Sequence, residues 1–173
     1  MAKPIISWLD DKLVTMSKLQ FSSDASKYEP VVADTESVHK TFYIANNFKK
    51  GTAAGSPVYD ATNCQLRVID ASGGLDSVVV KEKWLWAKCV SGADGSFTNM
   101  GGTTGAEVKL TVTAGNSAKL KTIEGKANDG NEAGTGQYNV AKIEAYIKPL
   151  LSTTAEGGKQ SFRLAFIYSY GAE

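Results

Sequence analysis

The sequence predicts an all-β protein, an antiparallel β-sandwich of Ig-like or jelly-roll-like type. Apolar residues recur with period two in several short runs, the pattern of strands with one buried face. Clusters of Gly, Asn and Asp separate those runs, and these residues supply the positive φ angles that chain reversals need. No long stripe of helical period competes with them, so short strands and polar turns point to two packed sheets. The expected organisation is an N-terminal arm or edge strand over residues 1–12, followed by a sandwich domain over residues 13–173.

Taken in chain order, the first strand is expected over residues 13–21, and the dozen residues before it either pack as an edge or project as an arm. Val38, Phe42 and Ile44 mark the next strand, which runs up to Asn46-Asn47. Cys64, Leu66 and Val68 alternate with Gln65 and Arg67. Residues 78–90 are rich in β-branched and aromatic side chains, but the alternation slips between Val80 and Trp84, which predicts a bulge or bend. Val108, Leu110 and Val112 alternate with Lys109, Thr111 and Thr113. Ala141, Ile143, Ala145 and Ile147 alternate with Lys142, Glu144 and Tyr146. A helical stripe of Val140, Ile143, Tyr146 and Ile147 competes there, but the Ala/Ile alternation and Pro149 favour a strand. The clearest strand sets Phe162, Leu164, Phe166, Tyr168 and Tyr170 against Arg163, Ala165, Ile167 and Ser169. Turns are expected at 49–51, 71–74, 92–95, 101–102 and 128–131. Residues 101–106 and 125–136 are, by composition, the most mobile stretches.

Composition narrows the function. The chain has 173 residues, 42% hydrophobic and 21% charged, which is ordinary globular content and enough to bury a core. Lys plus Arg total 19 against 18 for Asp plus Glu, a net charge of +1. A phosphate-binding face concentrates positive charge, and bidentate readout favours Arg, of which the chain has only Arg67 and Arg163. Nucleic acid is therefore not an expected partner. No apolar stretch is long enough to span a membrane. The opening Met1-Ala-Lys-Pro-Ile-Ile-Ser-Trp-Leu-Asp-Asp lacks the apolar core and Ala-x-Ala site of a secretory signal, so the thiols are expected to be reduced.

Few residues offer chemistry. His39 is the one histidine and Cys64 and Cys89 the two cysteines, too few for a zinc site without several carboxylates. Cys64 is expected as a small core residue, a Cys64–Cys89 bond being the alternative. The loop at 128–136 carries oxygen ligands, yet it lacks the spacing of a calcium loop and is expected to be solvated. The Gly-rich stretches at 51–55 and 101–105 have no phosphate-loop pattern. Asp10-Asp11 and the Asp34/Glu36 pair are carboxylates in polar connections, expected as surface rather than as an acid/base pair. His39 is expected on the polar face opposite Val38 and Phe42. Trp84 and Trp86 share one strand face, where core or interface packing is favoured over stacking on a sugar. Tyr146, Tyr168 and Tyr170 are candidate subunit contacts. No catalytic, metal or cofactor residue is expected. A small hydrolase using His39 or Asp34/Glu36 is the third reading.

Two stretches carry a resemblance. One is Thr41-Phe-Tyr-Ile-Ala-Asn-Asn47 with Tyr59-Asp-Ala-Thr-Asn-Cys-Gln-Leu-Arg-Val-Ile-Asp70 and Lys83-Trp84. The other is Ala141-Lys-Ile-Glu-Ala-Tyr-Ile-Lys-Pro149, then Ala155-Glu-Gly-Gly158 and Phe162-Arg-Leu-Ala-Phe-Ile-Tyr-Ser-Tyr170. The second resembles the closing hairpin of Ig-like sandwiches. Together they resemble small β-rich structural proteins of tailed bacteriophages, of tail, baseplate or capsid-decoration type. The resemblance implies a non-enzymatic virion component, assembled in the host cytoplasm and joined by homo-oligomeric and neighbour-subunit contacts. A capsid decoration protein is one alternative. The other is a carbohydrate-binding or receptor-binding module that meets a host-surface glycan through Trp84, Trp86 or the tyrosines.

Overall fold

A computed structural model describes residues 1–52, 55–115, 117–127, 137–150 and 160–171. It is an all-β sandwich of two antiparallel sheets. The larger sheet has the order β1-β2-β7-β4-β5, built from β1 (Ile6–Leu9), β2 (Lys40–Asn46), β7 (Val140–Ile147), β4 (Leu85–Cys89) and β5 (Thr98–Met100). The smaller has the order β6-β3-β8, from β6 (Leu110–Thr111), β3 (Thr62–Asp70) and β8 (Phe162–Ser169).

Alternation places the core. Phe42 and Ile44 of β2, Leu85, Ala87 and Cys89 of β4, and Ala141, Ile143 and Ala145 of β7 form one face of the larger sheet. They pack in a single cluster with Cys64, Leu66 and Val68 of β3 and Leu110 of β6. Phe162, Leu164, Phe166 and Tyr168 of β8 close the cluster but stay partly exposed. Strand wins over helix at 140–147 because only a period of two puts Ala141, Ile143 and Ala145 on the core side together. On the other face of the larger sheet Leu9, Leu13, Tyr43, Ala45 and Val140 form a second buried cluster.

Three expected elements are corrected. Residues 13–21 are not a strand. Asp10 Oδ1 accepts the amides of Lys12 and Val14, and Leu13 adopts φ 64°, so the chain turns sharply and Met16 N returns to Trp8 O. The strand of this region is β1, within the first dozen residues, at an edge of the larger sheet. The slip within 78–90 is neither bulge nor bend: Val78–Lys81 make a helical turn, α1, ahead of β4. Val79 and Val80 are buried, and Gly101 packs so tightly there that a Cβ would stand 2.5 Å from Val80 O. This packing overrides the β preference of three valines. The run at 108–112 shortens to β6 because the chain crosses between sheets: Val108 bridges Gly101 beside β5, whereas Leu110 pairs with Leu66 of β3.

Buried side chains fasten the connections. Asp70 Oδ1 accepts the Ser72 hydroxyl and the amides of Ser72 and Gly74, and its Oδ2 accepts Asp76 N. The Ser72 hydroxyl, then these amides, hold its carboxyl well below the usual range. At the other end of the sandwich, fully buried Asn46 accepts Ile5 N and donates to the carbonyls of Tyr59 and Ile123. Asn47 donates to the carbonyls of Ser56, Gly125 and Lys126. The turn region at 128–131 and residues 155–158 lie outside the described residues.

Asn46→Ala strands buried carbonyls and an amide and is expected to cost about 3 kcal/mol in chemical denaturation, comparable to Leu66→Ala in the core centre. A cost under about 1 kcal/mol for Asn46→Ala would show that water replaces the amide.

Candidate functional site

Two aromatic assemblies stand out, one on each sheet. On the outer face of the larger sheet the register builds a row. Lys40 pairs with Ala145, which sets His39 beside Tyr146, and Tyr146 pairs with Trp86. The His39 and Tyr146 rings stack at 4.6 Å with 9° between planes, and Tyr146 and Trp86 lie parallel at 6.1 Å. Phe97 meets both His39 and Tyr146 edge-on.

A row of charge runs beside it. Glu144 Oε1 lies 2.8 Å from His39 Nδ1, and its Oε2 is 3.2 Å from Lys88 Nζ. Lys88 Nζ also sits 4.5 Å over the Phe97 ring. Glu36 Oε2 is 3.4 Å from His39 Nε2. Burial alone raises the Glu144 carboxyl, but the hydrogen bonds and charges of His39 and Lys88 outweigh it and leave it below the usual range. Tyr146 is pushed up, first by burial and then by the charge and hydrogen bonding of Glu36. His39 is thus on the outer, polar face. Asp34 and Glu36 do not share a strand: both lie in irregular chain before β2, Asp34 at φ 61° with its amide on Pro149 O.

Each sequence-predicted aromatic has a definite place. Trp84 precedes β4, is 6% exposed, and directs its indole N–H to Glu82 Oε2. Trp86 is half-buried against Tyr146, itself 7% exposed. Tyr168 and Tyr170 lie on the other sheet. There Phe166, Tyr168, Tyr170 and Tyr59 follow one another at 5.4, 6.2 and 6.4 Å between ring centres. This row begins in the core and emerges at Tyr170, which is 51% exposed.

At its outer end a groove of about 690 Å³ opens between Tyr59, Asp60, Thr62, Lys119, Thr122 and Tyr170, with Lys126 at its rim. Asp60 Oδ1 accepts Gly125 N and its Oδ2 accepts Lys119 Nζ at 2.7 Å. Burial raises this carboxyl, yet Lys119 and the Gly125 amide bring it below the usual range. Lys126 Nζ is 3.0 Å from Glu124 Oε2. Nothing in the sequence singled out Tyr59, Asp60, Lys88, Phe97 or Glu144 as site residues. For the larger sheet, register was the usable signal, because Lys88 and Glu144 hold outward positions on neighbouring strands.

The thiols are not a reactive pair. Cys64 and Cys89 are both free and buried, with hydrogen bonds to Ala61 O and Thr113 O. Burial pushes the Cys64 thiol up to about 12 and raises Cys89 as well, so neither forms thiolate near neutral pH. Among the described residues no group of three His, Cys, Asp or Glu is arranged to hold a metal ion. The loop at 128–136 lies outside them. No protein-family model, curated protein or solved structure matches the chain.

Because its folded pKa is depressed, Glu144 contributes stability above the unfolded glutamate value of about 4.3 and loses it as pH falls through the folded value. Glu144→Gln is expected to lower stability at pH 7 by on the order of 1 kcal/mol and to flatten the acid limb below about pH 5. Melting curves across pH check this, and an unchanged acid limb would show that the network carries no net energy.

Proposed function

We propose that the chain is a non-enzymatic structural subunit of a bacteriophage virion, acting in the tail or baseplate through contacts with its own copies and with neighbouring virion proteins. The observation that carries this reading is β8. It is eight residues long, and among the described residues it has a strand neighbour on one side only, β3. Its outward face shows Arg163, Ala165 and Ile167, and Ile167 is 37% exposed. Monomeric proteins blunt such edges with shortness, charges or prolines; β8 is long and has no proline, and its one charge, Arg163, stands near its start. By contrast the edges of the larger sheet, β1 and β5, are four and three residues long.

A long edge that is apolar through Ala165 and Ile167 suits strand addition, in which backbone hydrogen bonds give affinity and side chains give register. Weak edge contacts then sum over a ring or lattice. The likeness of the 41–84 and 141–170 stretches together to small β-rich structural proteins of tailed phages supplies the setting, and assembly in the host cytoplasm suits thiols that are free and buried. His39, Glu144 and Lys88 satisfy one another on the sheet surface and serve the fold in this reading.

Light scattering over a concentration series is expected to find a defined oligomer, and Ile167→Lys is expected to return it to monomer with the folded state retained. A monomer at every concentration, or an oligomer indifferent to Ile167→Lys, would overturn the role of β8.

A further inference from the structure

We propose that the groove at the end of the smaller sheet, between Tyr59 and Tyr170, is a binding site for a neutral saccharide. Its volume of about 690 Å³ lies within the range of small-molecule sites. Tyr59 and Tyr170, 6.4 Å apart and tilted by 37°, offer apolar ring faces with hydroxyl tips, a surface on which a sugar ring packs its C–H groups.

The polar wall decides the ligand class. Its two lysines are each opposed by a carboxylate, Lys119 by Asp60 and Lys126 by Glu124, so neither is an open charge for a phosphate or carboxylate, and Met1 adds an amine at the rim. What it offers instead is acceptors. The Thr62 hydroxyl donates to Ser169 O and the Thr122 hydroxyl to Leu120 O, which leaves the oxygen lone pairs of both to accept. Among the described residues each Asp60 oxygen has one hydrogen-bond partner, which leaves it a second lone pair. Acceptors flanked by aromatic rings, with both lysines already paired, match the hydroxyl donors of a polyol better than an anion.

The backbone around the groove is unusual in the same place. The β3–β8 register shifts between Thr62 and Gln65, where Asn63 adopts φ 53°, and Lys121 across the groove adopts φ 55°. Cys64 N, the residue after Asn63, donates to Lys121 O. A bulge re-aims the start of a strand, and non-glycine residues in this region persist where the surrounding structure imposes them. Here they bring Thr62 and the 119–122 segment against the tyrosine row. The inference does not depend on the assembly reading, because Tyr59 and Tyr170 lie outside β8.

The test is an NMR titration of the full chain with N-acetylglucosamine, galactose, maltose and cellobiose in turn, with inorganic phosphate as the anionic probe. At least one sugar is expected to shift the Gly125 and Gly171 amides saturably. Tyr170→Ala, at an exposed position, is expected to weaken that binding about tenfold, and Trp86→Ala on the opposite sheet to leave it unchanged. No shift with any of the sugars, a shift equally strong in Tyr170→Ala, or a response to phosphate alone would each overturn the proposal.

Discussion

The molecule depends on two adjacent buried amides. Where β2 ends, the chain must bring three other segments, at residues 5, 56–61 and 123–126, against the end of the sandwich without leaving backbone groups unpaired. Asn46 and Asn47 solve this with side chains that reach five carbonyls and one amide between them. The Asn46 side chain has two N–H donors and an acceptor oxygen, so it meets two carbonyls and an amide at once, whereas a hydroxyl has a single donor and a carboxylate none. Gly125 completes the closure. Its C=O takes Val58 N and Asn47 Nδ2, and any Cβ would lie 2.2 Å from Val58 O. Tyr59 and Asp60, which wall the groove, are held in place by this same knot.

A second constraint is the inequality of the two sheets. Five strands face three, so the smaller sheet must cover the core with fewer side chains. Phe162, Leu164, Phe166 and Tyr168 are large for that reason, and they remain only partly buried because nothing among the described residues pairs beyond β8. The larger sheet has the opposite problem, an outer face too wide to leave bare. The return of residues 10–16 covers one end of it with Leu9 and Leu13, and the His39–Tyr146–Trp86 row, with its ion pairs, covers the other. The stacked rings and the Glu144 network therefore have a structural explanation, whereas the groove and the β8 edge do not. That contrast is why the functional reading rests on the smaller sheet.

The sandwich was legible wherever burial alone dictates the residue. β3, β7 and β8 read directly as alternation because each puts one face in the core. Three places resisted reading for different reasons. Val78–Val80 carry strong β preference but wind into α1, since packing against Gly101 is a long-range fact with no local trace. Leu13, Leu19 and Phe21 mimic alternation although their apolarity reflects separate burials in an irregular segment, steered by Asp10. Val108 and Leu110 look like one strand, yet they pair into different sheets. The candidate sites were legible only in part. Tyr168 and Tyr170 follow from the β8 pattern, but their continuation to Tyr59 and Asp60 depends on tertiary closure through Asn46. Likewise Trp84 and Trp86 look equivalent in sequence, whereas one is buried at the sheet margin and the other stacks on Tyr146.

The central claim is that the open side of β8 is where the molecule meets its neighbours, and hydrogen exchange followed at low and high protein concentration tests it most directly. In the dilute protein, the alternate β8 amides that do not bond to β3 should exchange quickly, and those facing β3 slowly. On concentration the fast set should become protected while β1 and β5 stay as they were. Protection that arises at β1 or β5, or β8 amides that exchange alike at both concentrations, would contradict the account.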